Sequence, residues 1–503
     1  MHHCLLRRAV RLTAWALVGP IVGGATSYSV AQAADQTFNV SLVGQADPLH
    51  PDLFPNGYNN GHVYGDIWVD GNYAYLGTDV NGGGVSIFDI SVPSNPTFIR
   101  NLLNPSGAIT MPTYLGDQME DMEVYNGIGY FGSDTNTSTG TGVDVVDLSD
   151  PTNPTLISRI NGDDNGHNKV HTLSYDNGFL FTSDNATDTI KIFDVSEPDN
   201  PQFKWTVDLG LASGQASHEV IAKNGRMYVA SKNNGSTAFS SGTTTIYDIA
   251  NIGAAPPTRL KQFATGARTH TSQVSTDGNL LVVAQERQDG DVVLYDISMI
   301  NQPNDPDTPT ILSTLDQTSV GIDAHSPHHP HLHGDMLIMS WYNAGVQIFN
   351  IADPANPVRT GSYDTFTDTL NDYDGNWGNF IQLNSEGILQ NVFLSDRTKG
   401  LIVVDVSDAA STGDFNQDEI VDGADFLAWQ RNAGVTSNAT LAMGDGNRDK
   451  KVGSPDLDVW KFQFGESGAH HEISAEPEAS SLWLAATGLL AARGWARRFR
   501  TPS

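Results

Sequence analysis

Histidines and acidic residues recur along this 503-residue chain at points where they can do chemistry together. They include His62, the pair Glu120 and Asp121, His171, the pair His218 and Glu219, His270, and the run "HSPHHPHLH" with His325, His328, His329, His331 and His333. Imidazoles gathered at one place can bind a transition metal or move protons near neutral pH. The spacing within 325–333 matches no fixed zinc signature, so a solvated histidine-rich loop is the competing reading. No Gly-x-Ser-x-Gly elbow supports a serine nucleophile, and no phosphate-cradling loop precedes a helix. Carboxylates, 58 in all, are too abundant for their pairing alone to identify a glycosidase.

A second set of oxygen donors lies further on. The stretch "DFNQDEIVDGAD" puts Asp414, Asn416, Asp418, Asp422 and Asp425 at positions 1, 3, 5, 9 and 12 of a calcium loop, with the Ile420 carbonyl at position 7. The helix-forming stretch "FLAWQRNAG" follows. A second loop, "DGNRDKKVGSPD", offers Asp445, Asn447, Asp449, the Lys451 carbonyl and Asp456, and "LDVWKFQFG" follows it. Glu419 and Lys450 occupy the sixth position, where the general pattern has glycine, and Gly453 removes the ninth side-chain ligand of the second loop. The first loop should therefore bind calcium more tightly. Two such loops, each with one trailing helix, resemble a dockerin module over 412–466. That resemblance implies docking to a cohesin-like receptor; the plainer reading is calcium stapling a small domain with too little core.

What positions the histidines is a repeat. "VSIFDISVPSNP" at 85–96 returns as "VDVVDLSDPTNP", "IKIFDVSEPDNP", "TTIYDIANIGAAPP", "VVLYDISMINQPNDPDTP", "VQIFNIADPANP" and "LIVVDVSDAAS". The repeated Asp or Asn stands at 89, 147, 194, 248, 296, 350 and 405, a spacing of roughly 47 to 58 residues, which is the range of propeller blades. Side chains alternate ahead of each Asp, an earlier short strand such as "GFLFTS" precedes it, and proline turns followed by another strand come after. Each unit thus reads as four short strands of a β-propeller blade. The repeat Asp reads as a turn residue, accepting hydrogen bonds from the backbone that follows it.

The expected fold is all-β: a seven-bladed β-propeller over 37–408, followed by a small α-helical domain with EF-hand-type loops. The last unit lacks an outer strand, and "TFNVSLVG" at 37–44 resembles the missing piece, so the N-terminal strand should close the ring and remove its open edges. In such a ring, residues before each innermost strand converge at one rim. The loops carrying Asp79, Asp134, Asp184, Glu286 and Asp396 should open on the same rim.

The repeats resemble LVIVD-repeat proteins, and residues 38–408 together resemble the choice-of-anchor B family of bacterial surface propellers, including "THTSQVSTDGNLLVVAQE" and "FLSDRTKGLIVVDVSD". Asn350 in place of the repeat Asp and long insertions in several units depart from the pattern. The resemblance implies an exported, surface-attached propeller and establishes no molecular activity.

Arg7, Arg8 and Arg11, the apolar run Leu12 to Val22 and "AQA" ending at Ala33 have the layout of a signal peptide over 1–33. Cleavage there removes Cys4, the single cysteine, so packing and metal rather than disulfides must hold the mature chain. A net charge of −31 argues against nucleic acid as a partner. In the 467–503 segment, "EPEASSLWLAATGLLAARGWARRFR" orders an acidic motif, an apolar stretch and an arginine cluster, and resembles a PEP-CTERM sorting signal. By charge bias the arginines stay cytoplasmic and the propeller lies outside, with the segment either kept as a membrane anchor or cut by a sorting protease.

Two functions are compatible with these features. One is a non-enzymatic surface binding or scaffolding protein for a protein or polysaccharide ligand, with the dockerin-like module as connector. The other is an extracellular hydrolase, acting on polysaccharide, with the histidine and acidic rim as its site.

Overall fold

The computed structural model describes residues 37–48, 64–79, 84–102, 119–134, 142–233, 242–322, 325–366, 373–383, 389–416, 418, 420–448 and 450–464. His62, Asp449, the 1–33 leader and the 467–503 segment lie outside the described residues. The strands form seven separate four-stranded sheets. In each of the first six, four strands follow one another in chain order, antiparallel and neighbour to neighbour. The seventh is completed from the other end of the sequence: Ser41–Ala46 pairs antiparallel with Gly400–Asp405, Ser41 opposite Asp405 and Ala46 opposite Leu401.

The clasping strand starts four residues later than the sequence pattern suggests. Phe38 does not join the seventh blade; it bridges Ser362 of the sixth through reciprocal backbone hydrogen bonds of 2.9 Å. The N-terminal segment therefore spans two blades, and Val40 between them is buried at 6% exposure.

The apolar core is divided among the blade interfaces. Alternation sends one face of each strand toward the preceding blade and the other toward the next. Tyr130, Val145 and Ile160 of the second blade thus pack with Leu173, Leu180 and Phe193 of the third. The ring closes the same way: Phe393, Leu401 and Val403 of the seventh blade share a cluster with Ile67, Leu76 and Phe88 of the first.

The repeated Asp answers to one local geometry. Its carboxylate accepts the backbone N–H two residues on: Ser91 to Asp89 at 2.8 Å, Ser149 to Asp147 at 2.9 Å, Ser196 to Asp194 at 3.2 Å, Ala250 to Asp248 at 2.9 Å, Ser298 to Asp296 at 2.9 Å and Ser407 to Asp405 at 2.8 Å. Asn350, the departure from the pattern, makes the same bond to Ala352 at 2.9 Å. The proline turn just beyond is a joint between blades, since the carbonyls of Pro198 and Pro354 accept Ser158 and Ser313 hydroxyls of the preceding blade at 2.6 and 2.7 Å.

Among the described residues, three short α-helices follow the last strand, α1 (Ser407–Ala410), α2 (Gly423–Asn432) and α3 (Ser454–Gln463). Ala409 of α1 is buried in the cluster between the sixth and seventh blades. Among the described residues no helix is long and apolar enough to cross a membrane.

Candidate functional site at the channel mouth

The innermost strands are Tyr64–Asp70, Met119–Tyr125, Thr172–Asp176, Gln215–Lys223, Thr269–Val274, Pro330–His333 and Asn376–Leu383. A regular strand would point consecutive residues such as His218 and Glu219 to opposite faces. Here the register shifts between Ser217 and Val220, between Thr269 and Thr271, between Tyr64 and Ile67, between Met119 and Asp121, and between Asn376 and Gly378. These bulges hold His218, Glu219, His270, Asp66, Glu120 and Trp377. A bulge re-aims side chains out of the pleat, which lets neighbours in sequence serve one site.

Four neighbouring blades, the third through the sixth, supply an arc of imidazoles. Ring centroids are 4.5 Å apart for His171 and His218, 4.2 Å for His218 and His270, 4.1 Å for His270 and His328, and 4.3 Å for His328 and His329. The first four of these side chains are buried.

Carboxylates divide the arc electrostatically. His171 Nδ1 lies 3.2 Å from Glu120 Oε2 and 3.4 Å from Asp134 Oδ1. Burial pulls that imidazole's pKa down, but the two carboxylates outweigh it and push it up to about 10. Its Nε2 sits 3.0 Å from His218 Nε2. The doubly protonated His171 donates there, which leaves the proton of neutral His218 on Nδ1, a buried atom without a hydrogen-bond partner. Burial raises Glu120, while the charge and hydrogen bond of His171 hold Asp134 down against its own burial.

At the other end, His329 bridges two acids, Nδ1 at 3.3 Å from Asp66 Oδ1 and Nε2 at 3.5 Å from Glu219 Oε2. Against burial, these acids raise its pKa well above the ordinary value. Glu219 also lies 3.3 Å from His270 Nδ1 and accepts the Thr271 hydroxyl. His328 donates from Nδ1 to the Trp377 carbonyl at 2.8 Å, and burial drives its pKa well below the usual range. Glu286 faces His270 Nε2 and His328 Nε2, each at 4.0 Å, and accepts the Tyr342 hydroxyl at 2.9 Å.

Three trios place one ligand atom from each member within 4.8 Å of the others: His270, His328 and His329; His218, Glu219 and His270; Glu120, Asp134 and His171. The remaining sequence candidates stand outside these trios. The His325 ring packs edge-on against Tyr373 at 4.4 Å, and His331 Nδ1 faces Asn379 Oδ1 at 3.1 Å. His333 is at the far end of its strand, because each residue along a strand moves about 3.3 Å from the rim. Asp79 pairs with Arg397, and Asp184 and Asp396 each fold onto their own turns, accepting Thr187 N–H at 2.7 Å and Lys399 N–H at 2.9 Å. Asp121 ties two blades through Leu173 N–H at 2.7 Å. Sequence reasoning did not single out Asp66, Tyr342 or Trp377.

The C-terminal loops have their own order. Asp425 is fully buried and accepts N–H groups of Phe415, Asn416 and Asp422 at 2.7, 3.0 and 2.9 Å. Asp456 does likewise for Asn447 and Gly453, at 3.1 and 2.7 Å. Each of these acids stands in the first turn of the helix that follows its loop. Trp429 of α2 donates to the Gly453 carbonyl in the second loop at 2.7 Å, and Trp460 of α3 donates to the Asp422 carbonyl in the first at 2.8 Å.

The LVIVD repeat model matches residues 61–103, 139–162 and 392–413, so the chain carries LVIVD repeats on a seven-bladed propeller. Among curated proteins no match is found. Similar solved structures include the computationally designed Ika8 protein, at 12% identity and TM-score 0.43, covering 69% of this chain and 97% of that one. The WD40 β-propeller domain of Doa1 is similar at 12% identity and TM-score 0.46, covering 73% of this chain and 97% of that one.

Proposed function

We propose that this chain is an exported, surface-associated binding and scaffolding protein: the LVIVD propeller is its recognition platform, and residues 412–466 are a dockerin-like calcium module that connects it to a cohesin-like receptor. The observation that carries the connector is the reciprocal pair of indole bonds. Trp429 and Trp460 each reach the ninth-position carbonyl of the opposite loop, which couples the two loops as one unit. The donor set is oxygen, as calcium requires, from Asp414, Asn416, Asp418, the Ile420 carbonyl, Asp422 and Asp425 in the first loop. The leader at 1–33 and the sorting-signal-like segment at 467–503 support export and surface attachment.

Calorimetric titration of the chelator-treated full chain tests the connector. Calcium should bind more tightly at the first loop, and Asp414→Ala should remove that phase. An absence of calcium heat, with melting of the 412–464 region unchanged by chelator, would reject the module.

Hydrolysis of polysaccharide is the second reading, and one observation favours it: Glu120 and Asp134, both against His171, are driven in opposite directions, one toward the acid and one toward the carboxylate. Substituting His171, His328 and His331 separates the readings. A binder keeps its partner affinity, whereas a hydrolase loses turnover.

A further inference from the structure

We propose that the channel mouth is a transition-metal site, in which His270, His328 and His329 bind one divalent ion of the zinc or copper type through Nε2, with the Glu286 carboxylate as fourth donor. This does not depend on the calcium module.

The first argument is the direction of the rings. A metal-binding imidazole ordinarily gives its other nitrogen to a carboxylate or carbonyl, which fixes the tautomer and aims the lone pair. All three rings are held that way. His270 Nδ1 faces Glu219 Oε2 at 3.3 Å and Thr271 Oγ1 at 2.7 Å, His328 Nδ1 donates to the Trp377 carbonyl at 2.8 Å, and His329 Nδ1 faces Asp66 Oδ1 at 3.3 Å. His270 and His328 thereby leave Nε2 for the ion, and His329 offers its Nε2 by giving up a proton and the contact to Glu219 Oε2 at 3.5 Å.

The second argument is an orphan. His328 is 0% exposed, and its Nε2 has no hydrogen-bond partner. With the proton committed to Nδ1, that nitrogen presents a bare lone pair, which is costly to bury unless something accepts it.

Distances fit. Zinc to imidazole bonds of about 2.0–2.1 Å in a tetrahedron put donor atoms roughly 3.3–3.5 Å apart. One ring nitrogen of each histidine lies within 4.8 Å of the other two, and the Glu286 oxygens are 4.0 Å from His270 Nε2 and His328 Nε2. Drawing the histidine nitrogens together by up to about 1.5 Å, and the Glu286 oxygens in by about 0.5–0.7 Å, would seat the ion. Three nitrogens and one carboxylate favour zinc or copper over magnesium or calcium.

The test uses the full chain in excess calcium, which saturates the C-terminal loops, titrated with Co2+ and read by visible absorption. One equivalent should give the strong bands of a four-coordinate, nitrogen-rich site. Binding should weaken at least about 100-fold in His270→Ala and in His328→Ala, and stay unchanged in His333→Ala. A folded wild-type chain without the bands, or bands that survive the His270→Ala/His328→Ala double substitution, would overturn the proposal. If the variants fail to fold, electron paramagnetic resonance of the wild-type chain with one equivalent of Cu2+ decides: splitting from three nitrogens supports the site, and splitting from one or none overturns it.

Discussion

Asp66 of the first blade and His329 of the sixth lie 3.3 Å apart, carboxylate oxygen to Nδ1, although 263 positions separate them. No local segment can arrange that contact. It requires the seventh blade to be in place between them, and so the strand Ser41–Ala46 that completes that blade. The candidate site is a property of the closed ring.

Proton release should loosen the ring at high pH. His171 is raised from an ordinary value of 6.5 to about 10. Between those values the folded chain holds a proton that the unfolded chain has lost. The stabilisation is therefore fully present below about pH 6.5 and is lost as pH rises through about 10, at up to about 1.4 kcal/mol per pH unit for one proton. Urea unfolding at a series of pH values should show this decline, and His171→Gln should flatten it. Equal slopes in the two proteins would contradict the ion-paired assignment.

The repeat Asp should tolerate an amide but not its removal. Asp296 accepts both the backbone N–H and the hydroxyl of Ser298, at 2.9 and 2.6 Å. Asp296→Ala should cost about 1–2 kcal/mol in denaturant unfolding, and Asp296→Asn less than about 0.5 kcal/mol, because Asn350 already makes the backbone bond in its own blade.

Lys450 adopts φ +63, in the left-handed region, at the loop position where glycine is usual. Lys450→Gly relieves the clash of a Cβ there and keeps the backbone bond from Lys450 N–H to Asp445 Oδ2, 2.9 Å long. Stability of the C-terminal region should rise by roughly 0.5–1 kcal/mol, read by hydrogen exchange at residues 439–456. The converse should hold for Trp429→Phe, which strips the Gly453 carbonyl of its indole donor and should cost about 1 kcal/mol in the same region.

The fold was legible because the blades repeat. Period-two apolar runs ending in Asp or Asn mark a strand seven times over, a proline turn follows in the first six, and the unpaired outer edge of the last unit calls for the N-terminal strand. The start of that strand was not legible, since Phe38 and Leu42 are both apolar and pairing with the sixth or seventh blade is decided by tertiary packing. At the site, His171 and His328 stand just ahead of their inner strands, as expected, whereas His218 and His270 lie inside theirs, at bulges that turn them to the rim. His331 and His333 lie further along their inner strand, where His331 faces Asn379, because position along the strand as well as residue type decides which side chains stand at the rim. Asp66 and Trp377 were missed for a related reason: their contributions depend on bulges, and a bulge between Tyr64 and Ile67 or between Asn376 and Gly378 leaves no mark in a single sequence.

Deleting residues 37–46 tests the closed ring most directly. The deletion removes the outer strand of the seventh blade and the buried Val40. Thermal unfolding of the propeller should then shift by the equivalent of at least about 3 kcal/mol, from lost apolar burial and ladder hydrogen bonds. A deleted chain that melts at the wild-type temperature would contradict closure, and with it the channel mouth as a single site.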